Sequence, residues 1–477
     1  MLTLKLTLSV LAIYLIGYAL LKFVLPDAKR HFAEKLALSF GLGGGAISLV
    51  SVLMFHARVA LNLTNLLFIF CPLVIGFLYM ERKSLFRRNL SEPSIHTPLV
   101  FLPKDLSVLE IFLIIIIVVS IGLVSFQALF KPMFTYDALS IWALKAKVFF
   151  KEQTIFTDDF YNLDRLHYHP RYPLLIPLVE NWIYNCLGCV NDRLVKIIFP
   201  LFYFSLISVF YSTQRRLFSR RHSLIFTALL ATIPAFVRSD KGGAAFSGYA
   251  DVPLAFFYTT SVIHLFFWMK YRKREDIIIS AIFSGLAMFT KDEGLGLFVI
   301  TVFCLSIFVL FNSKKEIIKQ NIKSFSVYII IPILIILPWL IISTGMPTFS
   351  EEENYPGRLT MSAIIGNFSR APTILSSFCK EFLDIKRWNI LWILSGIAVI
   401  GNFRLILKSP IKYILLILLL DFTMFVLVYI ITLWDVKELI SCSMTRLIIQ
   451  IAPLAVFLSA HQIGMILDST DTDIKDK

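Results

Sequence analysis

The feature that most constrains this chain is the recurrence of apolar runs about 20 residues long, the length a helix needs to cross a bilayer. The plainest is LSVLEIFLIIIIVVSIGLVSFQALF, from Leu106 to Phe130. A single run of this kind fits a buried core helix, but a chain built almost wholly from them does not. In lipid only helices or closed barrels satisfy the backbone, and these runs lack the alternation of barrel strands. The expected fold is therefore all-α integral membrane, a polytopic bundle of about thirteen helices. Composition agrees: 57% of residues are hydrophobic and 16% charged, against about 45–50% and about 25% in soluble domains.

The expected spans centre near residues 14, 46, 70, 118, 203, 230, 260, 283, 302, 333, 395, 422 and 456. A formal charge of +14 invites a nucleic-acid reading, but Lys and Arg occur as short clusters between the apolar runs. Lys29, Arg30 and Lys35 follow the first span; Arg82, Lys83, Arg87 and Arg88 the third; Arg215, Arg216, Arg220 and Arg221 the fifth. Lys270, Arg272, Lys273 and Arg274 follow the seventh, Lys314, Lys315 and Lys319 the ninth, and Arg404, Lys408 and Lys412 the eleventh. Positive charge after every odd span is the pattern of cytoplasmic ends, so the expected partner is the bilayer and not nucleic acid. MLTLKLTLSVLAIYLIGYALLKFVL at the N-terminus lacks a small-residue cleavage site and reads as a retained first helix.

This orientation puts the connections 131–193, 238–250 and 344–387 on the non-cytoplasmic side. Domain boundaries follow: N-terminal membrane helices over 1–106, a membrane domain over 107–467 with the external loop 131–193, and an acidic cytoplasmic tail, DSTDTDIKDK, over 468–477. Within the loop, ALSIWALKAKVFFKE has apolar residues at helical spacing with basic residues opposite, the pattern of an amphipathic interfacial helix. Cys71 and Cys304 fall in apolar runs. Cys186 and Cys189 form a lone C-x-x-C, which reads as two unrelated thiols or a local disulfide ahead of a metal or redox site.

Five polar groups collect on the external side. Asp137, after the fourth span, suits a general base or a helix N-cap. His167, His169 and Arg171 in LHYHPRYPLLIPL suit a phosphate or metal site, or a solvated loop entering a helix. Asp251 in FSGYADVPLAFFY opens the seventh span, where Asp with Pro253 also caps a helix well. Lys291, Asp292, Glu293 and Gly294 in MFTKDEGLGLF form a tight turn whose lysine can hold a phosphate as a point charge. Arg446 in SCSMTRLIIQIAPL, with Gln450 one turn deeper, runs against the positive-inside bias and pairs well with phosphate oxygens. No P-loop, Rossmann fingerprint, H-E-x-x-H or nucleophile elbow occurs in a supporting context.

In the order and spacing of YDALSIWALKAK, HPRYPLLIPL, YADVPLAFF, FTKDEGL and SMTRLIIQIAP, over about residues 107–460, the chain resembles the C-type superfamily of integral-membrane glycosyltransferases. It is most similar to bacterial relatives of the protein O-mannosyltransferases and lipid A aminoarabinose transferases. The resemblance implies transfer of a sugar from a polyprenyl-phosphate carrier to a glycan, lipid or protein acceptor, with inversion, outside the cytoplasm of a bacterial inner membrane. It implies Asp137 as catalytic base and Lys291 and Arg446 as the cations that neutralise the departing lipid phosphate. Lys145, His167, His169, Arg171, Asp251, Asp292 and Glu293 are implied in binding sugar, acceptor or a divalent metal. The pattern departs from the family where three spans precede the acidic loop. It departs again where Asp137 is followed by Ala138, the adjacent acidic pair being Asp158 and Asp159 downstream. A transporter or lipid flippase is the rival class, with Glu110 and Asp421 as acids within spans; a lipid-linked glycan ligase would differ mainly in acceptor.

Overall fold

A computed structural model of the chain describes every residue except 27–29, 92–104, 158–168, 239–241, 313–317, 347–353 and 476–477. The helices are α1 (Leu2–Val24), α2 (Phe32–His56), α3 (Leu63–Ser91), α4 (Val108–Phe130), α5 (Ala143–Glu152), α6 (Leu175–Leu187), α7 (Ile198–Gln214) and α8 (Arg220–Ala231). They continue as α9 (Asp251–Tyr271), α10 (Arg274–Thr290), α11 (Glu293–Asn312) and α12 (Ile318–Thr344). Last come α13 (Ala371–Phe382), α14 (Leu391–Gly401), α15 (Lys412–Ile431) and α16 (Val436–Lys475). Short helical turns join some of them. The described residues contain no strand, and the fold is an all-α polytopic bundle. Each expected span centre falls inside a helix. Among the described residues ten helical segments are long and apolar enough to cross a membrane; the centres near 230, 283 and 395 fall in the shorter α8, α10 and α14.

The bundle is organised around α9. Every residue of its apolar window is buried, whereas α3, α4 and α12 bury few of theirs and face outward. Helices α7, α10, α11 and α16 all pack on α9. With no apolar driving force between helices in lipid, small residues and interhelical hydrogen bonds do the joining. Ser261 and Ser280 each donate a side-chain hydrogen bond to the other's carbonyl, at 2.8 and 2.7 Å, stitching α9 to α10. Helices α1 and α2 touch backbone to backbone: a Cβ on Gly17 would lie 1.7 Å from the Ser39 carbonyl oxygen, and one on Gly43 1.9 Å from that of Ile13.

Both acids expected within spans are tied up locally. Glu110 closes a capping box with Ser107 at the start of α4 and takes two bonds from Arg220, at 2.7 and 3.0 Å. Asp421, buried in α15, accepts from the Tyr258 hydroxyl at 2.9 Å.

Two local expectations are corrected, and the lone C-x-x-C is resolved in favour of unrelated thiols. The helix after Asp137 exists, as a π-helical turn Ala138–Trp142 running into α5. Its basic face is not uniformly solvated, because Lys145 is fully buried and donates to the carbonyls of His169 and Tyr172, at 2.7 and 3.3 Å. The last helix starts at Val436, so Arg446 lies inside it and not at its beginning, and it runs on through the expected tail to Lys475. Cys186 and Cys189 are both free thiols.

Candidate active site at the head of the buried helix

The site is built where α9 begins, α10 turns into α11, and α16 passes. Asp251 is the first residue of α9 and is completely buried. One carboxylate oxygen accepts from Lys291 Nζ at 2.9 Å and Gln450 Nε2 at 3.1 Å; the other accepts from Arg446 Nε at 3.0 Å. The side chain is therefore spent on one cation from the turn between α10 and α11 and one from α16, and not on capping its own helix.

Arg446 has a second acidic partner. Its Nη2 lies 2.7 Å from Asp137 Oδ2, so one planar guanidinium bridges the two acids, a task its fork geometry suits. Asp137 makes no side-chain cap bond to the helix that follows it, which decides against the capping reading. The Arg446 guanidinium also lies 4.3 Å from the Tyr249 ring centroid, a cation–π contact. The Tyr249 hydroxyl accepts from the Asp137 backbone N–H at 3.4 Å.

Lys291, in the two-residue turn between α10 and α11, adds a 2.6 Å pair with Glu293. Burial alone would push the Lys291 ammonium down; Asp251 and then Glu293 outweigh it and hold the group above its ordinary value. The turn requires Gly294, because a Cβ there would fall 2.2 Å from the Ala287 carbonyl oxygen. The segment before α9 has the same character. Gly243 (φ 76°) and Gly248 (φ 89°) adopt left-handed backbone conformations, and added Cβ atoms would press on Arg446 Cγ at 3.0 Å and Ala138 Cβ at 2.9 Å.

Asp137, Asp251, Lys291, Glu293 and Arg446 thus form one connected ion-pair network. Asp292 is exposed in the same turn. The loop residues form a separate brace: Arg171 Nη2 donates to the Met346 carbonyl at 2.6 Å, joining the connections 131–193 and 344–387, and the His169 and Tyr172 rings stack at 4.8 Å. His167, Asp158 and Asp159 lie outside the described residues.

Sequence reasoning noted Gln450 without giving it a role and passed over Tyr249, although both stand inside motifs it quoted. Among the described residues no group of three or more His, Cys, Asp or Glu side chains gathers to hold a metal. Asp137 and Asp251 are both engaged by Arg446, so this donor set does not suit a divalent cation.

Residues 175–342 match the model of the dolichyl-phosphate-mannose-protein mannosyltransferase family. The matched stretch covers 168 of the chain's 477 residues. It starts at the first residue of α6, ends in α12, and carries Asp251, Lys291 and Glu293 of the ion-pair network, while Asp137 and Arg446 lie on either side of it in the sequence. No match was found for the chain among curated proteins or among solved structures.

Proposed function

We propose that this membrane glycosyltransferase moves a sugar from a polyprenyl-phosphate carrier to an acceptor on the non-cytoplasmic face, with inversion at the anomeric carbon. The observation that carries the reading is the convergence of a partly buried carboxylate, Asp137, with two cations, the buried Lys291 and the partly buried Arg446, at one end of the bundle. The recurrent basic clusters at the opposite helix ends support the assignment of face.

In this reading the carrier phosphate binds Arg446 and Lys291, with the lipid tail between helices. A phosphate arriving at Arg446 competes with Asp137 for the guanidinium and frees that carboxylate as the donor seats. Asp137 then accepts the proton of the acceptor hydroxyl or amine while the acceptor atom attacks the anomeric carbon. The carbon–oxygen bond to phosphate breaks, its electron pair stays on the phosphate oxygen, and the two cations hold the charge that develops. Asp251 keeps those cations in place through its three bonds. Glu293 and Asp292 flank Lys291 in its turn, and Lys145, His169 and Arg171 brace the segment around Tyr172. Transfer to a sugar, lipid or protein acceptor, including ligation of lipid-linked glycan, uses the same steps.

The transporter reading finds less support, because Glu110 and Asp421 are both locked in local hydrogen bonds. The deciding experiment supplies purified full-length protein with a panel of polyprenyl-phosphate sugars and scores released lipid phosphate. Asp137→Ala should lose about 10²–10⁴-fold in turnover, the usual share of a general base. Equal release by wild type and Asp137→Ala would end the base assignment.

A further inference from the structure

At the other end of the bundle a cavity of about 380 Å³ opens between the start of α2, the end of α7 and the turn joining α9 to α10. It is distant from the site above: the helical rise of about 1.5 Å per residue puts His264, the α9 residue beneath this region, roughly 20 Å along the axis from Asp251. Four cations line the cavity, Arg30, Arg215, Arg216 and Lys273, against two carboxylates, Glu34 and Glu275.

The acids are already committed. Glu34 bonds to Arg30, and Glu275 lies 3.8 Å from Arg30. Asp276, beneath the wall, takes both Nη atoms of Arg216, at 3.0 and 2.8 Å, and His264 Nδ1 at 2.8 Å. These bonds hold Arg30 and Arg216 rigidly and leave two cations over. Arg215 donates to a neutral acceptor, the Phe218 carbonyl. Lys273 is exposed, with no ion pair among the described residues.

Donors are left unspent as well. The Ser212 hydroxyl, 1% exposed and lining the cavity, has no hydrogen-bond partner, and neither has Arg30 Nε. Buried polar atoms are nearly always satisfied, so an unpartnered hydroxyl and guanidinium nitrogen facing one cavity call for a ligand rich in acceptors. Excess positive charge asks that it be an anion, and Arg prefers tetrahedral or planar oxyanions.

We infer that this cavity binds a phosphate group, with Ser212 and Arg30 Nε donating to its oxygens and Arg215 and Lys273 balancing its charge. The group belongs either to a lipid headgroup or to a small soluble phosphate; the recognition chemistry is shared. The inference does not depend on the transferase reading.

The test uses purified full-length protein in phosphate-free detergent, with thermal unfolding followed against inorganic phosphate, against phosphatidate in mixed micelles, and against chloride at matched ionic strength. A rise in midpoint with inorganic phosphate identifies a soluble ligand; a rise with phosphatidate alone identifies a lipid. In either case Arg215→Ala/Lys273→Ala should weaken the response at least tenfold in ligand concentration, and Ser212→Ala should weaken it less. Lys273→Ala alone, at an exposed position, keeps the test valid if the double variant does not fold. No response to either phosphate, an equal response to chloride, or an unchanged response in Lys273→Ala would overturn the inference.

Discussion

Replacing Asp251 by Asn tests whether the network is held together by its one fully buried acid. Asp251 accepts from Lys291, Arg446 and Gln450 at 2.9–3.1 Å. Each charged pair represents roughly 6 kcal/mol of gross attraction at an effective dielectric near 20, much of it cancelled by desolvation. Removing one partner of a buried pair costs about 3–5 kcal/mol because the other charge is stranded. Here Lys291 retains Glu293 and Arg446 retains Asp137, so the loss should fall near the lower end, about 3 kcal/mol. Equilibrium unfolding of Asp251→Asn, Lys291→Met and the double variant in mixed micelles gives the size of the link. Their coupling should be about 2 kcal/mol, within the range for contacting residues. A cost below about 0.5 kcal/mol for Asp251→Asn, or additivity within that margin, would refute the view of Asp251 as the organising acid.

Arg446→Lys should reduce lipid-phosphate release about 10²-fold, since a single ammonium cannot reproduce the bridge to both acids; activity near wild type would show that positive charge alone suffices. Glu180, fully buried in α6 with neither carboxylate oxygen partnered, has its carboxyl pushed well above the usual range by burial and then by Asp192. Below the unfolded-state value both states are protonated; above it only the unfolded chain ionises, so wild type loses stability as pH rises, and Glu180→Gln should gain about 1.4 kcal/mol per pH unit over that window. Unfolding midpoints of the two proteins that stay parallel from pH 4.5 upward would contradict this. Gly43→Ala should destabilise by about 1–3 kcal/mol through overpacking of α1 on α2, whereas Gly122→Ala, with nothing within 4 Å of its added Cβ, should be neutral or stabilising. Equal unfolding midpoints for the two glycine variants would count against the backbone contact.

The helices were legible because lipid leaves the backbone so few options: a long apolar run has to be a helix. Asp137, Asp251, Lys291, Glu293 and Arg446 were legible as a group for a related reason, since ionisable residues in or beside membrane-spanning helices are functional candidates by default. What the sequence withheld was partnership. Nothing in YADVPLAFF says that Asp251 takes three donors from a distant turn and a distant helix, or that Arg446 spans two acids. Lys145 was misread because a lysine at helical spacing looks solvated, and only the fold supplies the two carbonyls that bury it. The second charged cluster was hidden more thoroughly. Arg30 and Arg216 had been counted as topological markers, and that role conceals a specific bond to Glu34 or Asp276.

The complete burial of α9 limits how the molecule can move. Its head carries Asp251 and its far half carries His264, each clamped by side chains from neighbouring helices. Sliding or turning this helix by one residue would break both clamps together, so it behaves as a fixed axle. Any opening that admits a long lipid must then come from the lightly packed outer parts, α11, α12 and the elements following Met346. Cross-links that pin α9 to α10 should accordingly leave turnover intact, while those that pin the outer helices should stop it.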